Sequence, residues 1–162
     1  ELWQAAKRQG FATPSIGTLV DMICCPGGDF CSLANAKSIP VAEAIQRRFD
    51  DLDYLYDLGD IKLNISGCMN ACGHHHVGNI GILGVDKKGE EFYQIQLGGS
   101  AVDEASLGKV LGPSFYAHEI PDVLERILNI YVEQRIEGET FLDTHRRIGT
   151  GPFKEFIYAK AA

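Results

Sequence analysis

The sequence has no apolar run near the roughly 20 residues that a membrane span requires, and its opening, Glu1-Leu2-Trp3-Gln4, has neither an initiator Met nor the apolar core of a signal peptide. A soluble chain is therefore expected, with a reducing cytoplasm indicated by the clustered cysteines rather than by this absence, and the opening reads as the cut end of a longer protein. Positive charge is also scarce: 15 Lys and Arg against 22 Asp and Glu leave a net charge of -7 at pH 7. That balance argues against nucleic acid or an anionic membrane surface as the main partner. Cysteine occurs only five times, an odd number gathered at two spots, which is not how a disulfide scaffold uses it. Low-complexity tracts, solenoid repeats and dividing linkers are absent too. What is present is 45% hydrophobic and 9% aromatic content over 162 residues, enough to bury a core and form one domain.

Residues 1–17, with Gly10, Pro14 and Gly17 and little periodicity, are expected to lead in from something upstream, and residues 18–162 to form a single domain. Residues 18–23 are a short β-rich apolar run into the loop Cys24-Cys25-Pro26-Gly27-Gly28-Asp29-Phe30-Cys31. From Ile39 onward Val41, Ala44, Ile45, Arg48 and Phe49 recur at helical spacing, with Ser38 as N-cap and Pro40 in the first turn. Residues 60–66 alternate apolar and polar, which predicts a half-buried strand running into a second cysteine loop, Gly67-Cys68-Met69-Asn70-Ala71-Cys72-Gly73. Residues 80–85 and 91–97 flank Asp86-Lys87-Lys88-Gly89 and predict a hairpin with Gly89 at positive φ. A short extended segment near residues 109–112 ends at Pro113. The clearest helix opens at Pro121, carries a stripe of Val123, Leu124, Ile127, Leu128, Tyr131 and Val132, and stops before Gly138. Thr140 with Asp143 predicts a capping box for a second helix to Ile148, and Gly151-Pro152 opens a third that ends near Tyr158.

The chemistry lies in the cysteines. With Cys24 set aside, Cys25-x5-Cys31 and Cys68-x3-Cys72 supply four thiolates from two loops at strand ends. A cubane iron–sulfur cluster takes one thiolate per iron around a cage, and two such loops can close on it from two sides. Zinc takes four thiolates as well, but an x5 loop with Pro-Gly-Gly is wide for a zinc knuckle. Spacing thus favours a cluster, with zinc and unligated buried thiols as alternatives. Gly27, Gly28, Gly67 and Gly73 would let backbone N–H groups approach sulfur, or simply make turns. Asn70 can bond a carboxylate or form an Asx turn. Cys24 reads as a small buried residue at its strand's end. In His74-His75-His76 successive side chains cannot all face one ion, so one imidazole is expected toward the cofactor region while the others pack or face solvent. His118 and His145 read as structural.

Cys25-x5-Cys31 followed by Ser66-Gly67-Cys68-x3-Cys72-Gly73 resembles the signature of the siroheme-dependent sulfite and nitrite reductases. Residues 25–37 and 73–82 look like the bacterial assimilatory hemoprotein subunits, and the similarity continues to Tyr158. The resemblance implies an α+β fold, a mixed β-sheet flanked by helices. It implies that Cys25, Cys31, Cys68 and Cys72 ligate a 4Fe-4S cluster, that Cys72 also ligates the siroheme iron, and that Asn70 contacts a siroheme carboxylate. One departure is Asn79, where many members carry an acidic residue. The implied reaction is six-electron reduction of sulfite to sulfide, or of nitrite to ammonia, with electrons from a ferredoxin or a flavoprotein reductase. Anionic substrate and siroheme carboxylates call for cations, yet Lys37 is almost the only base near the motifs. The basic substrate-binding residues are therefore expected in an upstream part of the same chain, and this segment alone is expected to lack turnover. A structural or electron-transfer module holding a cluster or zinc is the alternative from another class.

Overall fold

The computed structural model describes residues 1–102 and 104–159. Among the described residues five strands make one mixed sheet in chain order: β1 (Ile23–Cys24), β2 (Leu63–Ser66), β3 (Ile80–Lys87), β4 (Glu90–Leu97) and β5 (Lys109–Val110). The first three run parallel, and β3, β4 and β5 pair antiparallel. Six helices accompany the sheet among the described residues: α1 (Leu2–Arg8), α2 (Ile39–Arg48), α3 (Leu52–Leu58), α4 (Ile120–Gln134), α5 (Phe141–Ile148) and α6 (Gly151–Tyr158).

Register fixes the two faces. Leu63, Ile65, Ile80, Ile82, Ile95 and Leu97 point to one side and form the core with Val41 and Ile45 of α2, Leu124 and Ile127 of α4, Phe141 of α5 and Phe153 of α6. The tail helices thus pack on this chain's own sheet. In the α4 stripe Val132 is the exception, being exposed, and Ile120 and Ile130 are buried in addition. The opposite face is polar, with Asn64, Ser66 and Gln96 buried on it.

Several elements depart from the sequence pattern for identifiable reasons. The expected β run over residues 18–23 shrinks to Ile23–Cys24. Thr18 and Asp21 bond the backbone at Ser15 and Gly17 instead, and these local bonds compete with a ladder. Strand β2 is buried on both faces rather than half-buried, because the chain after it folds back across Asn64 and Ser66. Asn64 Nδ2 donates to the His74 carbonyl at 2.9 Å, and the Gly73 N–H donates to Ser66 Oγ at 3.1 Å. Two short helices form where no periodicity announced them. Helix α3 is capped by Asp51, whose carboxylate accepts from the Asp53 and Tyr54 amides, and it buries Leu55 and Leu58. Helix α1 has no buried residue. The hairpin turn is tighter than its four-residue flanks implied: Lys88 and Gly89 alone connect β3 and β4, both at positive φ. The capping box of Thr140 and Asp143 is present, with Asp143 N donating to Thr140 Oγ1 at 3.2 Å.

Candidate metal centre

Both cysteine loops leave the same end of the sheet. Cys25 follows β1 and Gly67 follows β2, and these strands are parallel, hydrogen-bonded neighbours. Strand alternation separates the adjacent pair: Cys24 lies in the row of Ile65, Ile82 and Ile95 and packs against the core, while Cys25 begins the loop. Burial first, and then neighbouring Cys25, push the Cys24 thiol up to about 11, and its Sγ–H donates to the Cys25 carbonyl at 3.2 Å.

Backbone bonds lace the two loops together. The Ile65 carbonyl accepts the Cys25 N–H at 3.1 Å, and a Cβ on Gly73 would stand 1.9 Å from that same oxygen, so Cys25 and the neighbour of Cys72 converge on one carbonyl. The Gly67 N–H donates to Cys25 Sγ at 3.1 Å, and the Gly67 carbonyl accepts from Asn35 and Ala36 at 2.9 and 3.0 Å. Within the first loop the Gly27 carbonyl accepts the Cys31 N–H at 2.9 Å. A side chain at Gly67 would not fit: its Cβ would lie 2.6 Å from the Ala36 carbonyl and 2.8 Å from Gly27 Cα.

All five cysteines are free thiols; Cys68 is buried, Cys25 and Cys31 are partly exposed, and Cys72 is open to solvent. Among the described residues no three His, Cys, Asp or Glu side chains converge as ligands of a single metal ion. A mononuclear zinc draws each sulfur to about 2.3 Å from one centre, whereas a cluster spreads one thiolate to each iron. Here four thiols lie on two interlocked loops, and one of the sulfurs already accepts a backbone N–H.

Two supports escaped the sequence pattern. Ser38 does sit at the start of α2, but its side chain makes no capping bond. It is fully buried, with Oγ 3.6 Å from Cys25 Sγ. From the hairpin, the buried Tyr93 hydroxyl donates to the Lys37 carbonyl at 2.6 Å, and Glu91 Oε2 accepts the Lys37 N–H at 3.3 Å. Lys37 Nζ is itself 3.7 Å from Asp29 Oδ1. No local signal marks Tyr93 or Glu91, since they lie far along the chain from the loop they brace.

Asn70 is exposed, between exposed Met69 and Cys72. The histidine triplet divides. His75 is fully buried, with neither ring nitrogen partnered among the described residues, and burial first, then His76, holds its pKa down at about 4. His74 and His76 are exposed, and His76 Nδ1 lies 3.4 Å from Gln96 Oε1. His145 is buried on Thr150, as a structural histidine would be, and His118 is exposed against Tyr116. Asn79 is buried and uses both ends of its amide: Oδ1 accepts the Lys62 N–H at 2.8 Å, and Nδ2 donates to the Gly99 carbonyl at 3.0 Å. A cavity of about 500 Å³, lined by Ile23, Asn64, His74, Val77, Asn79 and Leu142 among others, has no cysteine in its wall.

Comparison with known proteins gives the family. The Nitrite and sulphite reductase 4Fe-4S domain family matches residues 16–161, and the chain belongs to that family of iron–sulfur oxidoreductases. Sulfite reductase (ferredoxin) 2 of Mycolicibacterium paratuberculosis is 31% identical over 131 residues, covering 75% of this chain and 23% of the relative. The assimilatory ferredoxin-dependent nitrite reductase of Haloferax mediterranei is 29% identical over 124 residues, covering 74% and 21%. The solved structure of the Mycobacterium tuberculosis NirA protein superimposes with a TM-score of 0.77 at 26% identity, covering 94% of this chain and 30% of that one. The chain thus spans under a quarter of the length of these curated relatives. The expected α+β architecture, a mixed sheet flanked by helices, is borne out. Among the described residues no helix is long and apolar enough to cross a membrane.

Proposed function

We propose that this chain is the C-terminal cofactor domain of an assimilatory sulfite reductase hemoprotein, with residues 18–162 as the domain and residues 1–17 leading in from the upstream part. The observation that carries the reading is the pair of interlocked loops, which hold four unbridged thiols at the carboxyl ends of adjacent parallel strands. In this reading Cys25, Cys31, Cys68 and Cys72 hold a 4Fe-4S cluster, Cys72 is also the ligand shared with the siroheme iron, and Asn70 contacts a siroheme carboxylate. When bound, the two groups supply single electrons and the iron on which sulfite is reduced to sulfide. The chain's own part is to present and orient. Cys72 and Asn70 are both exposed, where a large planar group has access, while Cys68 is buried. The electron donor is a ferredoxin or a flavoprotein reductase. Cations that neutralise substrate are assigned to the upstream part, because few basic residues lie near the two cysteine loops. Nitrite reduction to ammonia is the second reading, favoured by the likeness to a nitrite reductase.

The test is anaerobic iron and acid-labile sulfide content with an absorption spectrum, on the wild type and on Cys72→Ser. Four irons and four sulfides per chain, lost or halved in the variant, are expected. A red-region siroheme band in the polypeptide that includes the upstream part, with turnover of sulfite faster than nitrite there and none in the present chain alone, completes the expectation. Stoichiometric zinc, or no iron after reconstitution, would sink it.

A further inference from the structure

Ser38 stands at a helix start without capping it. Its side chain is fully buried, and Cys25 Sγ, 3.6 Å away, is the partner of its hydroxyl. Two glycines leave room for that hydroxyl: a Cβ on Gly27 would come within 2.6 Å of Ser38 Oγ, and one on Gly67 within 2.9 Å. A buried hydroxyl without a partner is costly, so a site that encloses one holds it to whatever acceptor is in reach. A ligating cysteine has no proton on sulfur, so between these two atoms the serine must be the donor.

We propose that Ser38 is a positioning residue for the cluster: its O–H donates to Cys25 Sγ and raises the cluster's reduction potential. This rests on the reading of Cys25 as a ligand. Reduction adds negative charge that spreads onto the cysteine sulfurs, and a hydrogen bond to sulfur is stronger in the more negative state, so each such donor favours the reduced cluster. With the Gly67 N–H at 3.1 Å, Cys25 carries two donors, one from the backbone and one from a side chain that can be exchanged.

The experiment is an EPR-monitored redox titration of the anaerobically purified protein, full chain, with iron and sulfide quantified in each sample. Ser38→Ala removes the hydroxyl and keeps the Cβ. At a fixed potential its reduced-to-oxidised ratio is expected to fall about threefold to tenfold, where tenfold is 59 mV for one electron, with iron content unchanged. Ser38→Cys, a weaker donor at the same place, is expected to fall between the two. Equal potentials in wild type and Ser38→Ala at equal iron content overturn the proposal while leaving the cluster reading intact. If Ser38→Ala does not retain iron, Ser38→Cys decides: a lowered potential supports the proposal and a wild-type potential overturns it. A wild type without iron and sulfide overturns the ligand reading and this proposal with it.

Discussion

Replacing Gly67 with alanine puts one methyl group where the two cysteine loops meet. Gly67 is not among the residues with positive φ, so the cost is steric. The new carbon would lie 2.6 Å from the Ala36 carbonyl, 2.8 Å from Gly27 Cα and 2.9 Å from Ser38 Oγ, and two of these three atoms belong to backbone that cannot rotate away. Forcing a methyl into a packed site costs about 1–3 kcal/mol. Relief requires the first loop to move off, which stretches the bond from the Gly67 N–H to Cys25 Sγ and those from Asn35 and Ala36 to the Gly67 carbonyl. At about 0.5–1.5 kcal/mol for each bond lost, relief through the loop costs about 1.5–4.5 kcal/mol, so the expected destabilisation is at least about 1 kcal/mol and at most about 4.5 kcal/mol, depending on the route taken. Gly28→Ala is the control from the same loop, because its Cβ would meet nothing nearer than 3.5 Å, and it is expected to stay within about 0.5 kcal/mol of wild type. Urea unfolding of the metal-free, reduced chain gives the stabilities, and anaerobic reconstitution gives iron retention. Gly67→Ala is expected to lower the midpoint and to hold little iron. A Gly67→Ala protein as stable as Gly28→Ala and loading iron equally would refute the interlocked-loop argument.

Two further outcomes follow from buried polar groups. Asn79→Asp should lose about 1–3 kcal/mol at pH 7, because a carboxylate can accept from the Lys62 N–H but cannot donate to the Gly99 carbonyl. The deficit should shrink in acid, where the protonated carboxyl regains a donor; equal denaturation midpoints for variant and wild type at pH 7 would contradict this. His75 has a folded pKa of about 4, below the ordinary value of 6.5, so between these pH values the unfolded chain binds a proton that the folded chain refuses. Its contribution is complete above about pH 6.5 and is lost as pH falls toward 4, on the order of 2–3 kcal/mol. His75→Phe should flatten that part of the stability profile of the metal-free chain. His145, also held low by burial, keeps its own smaller share, and parallel profiles for wild type and variant would refute the assignment to His75.

Much of the site was legible in the sequence because its chemistry is local. Ligand spacing, strand-to-loop transitions and the glycines beside the cysteines all lie within two short stretches, and the structure places both stretches at one end of neighbouring strands. Long amphipathic or well-capped elements were legible for the same reason, as α4 and the Thr140–Asp143 box show. Elements of about two turns were not: α3 has a good cap in Asp51 but too few residues for a periodic stripe. Ser38 misled in an instructive way. The same residue type that caps helices also donates to sulfur, and only the neighbour in space tells which.

The sequence by itself determined the number of thiols, their division between two loops, the hairpin and the apolar stripe of the long helix, since each depends on residues close in the chain and on periodicities set by backbone geometry. The tertiary structure decided the rest. It turned Cys24 to the core and Cys25 to the site, buried Asn64 and Ser66 under the returning chain, and put Tyr93 and Glu91 beneath Lys37. Each of these depends on which surface another part of the chain covers. A one-dimensional pattern can say that one face of a strand is apolar, but only packing says what closes over the other.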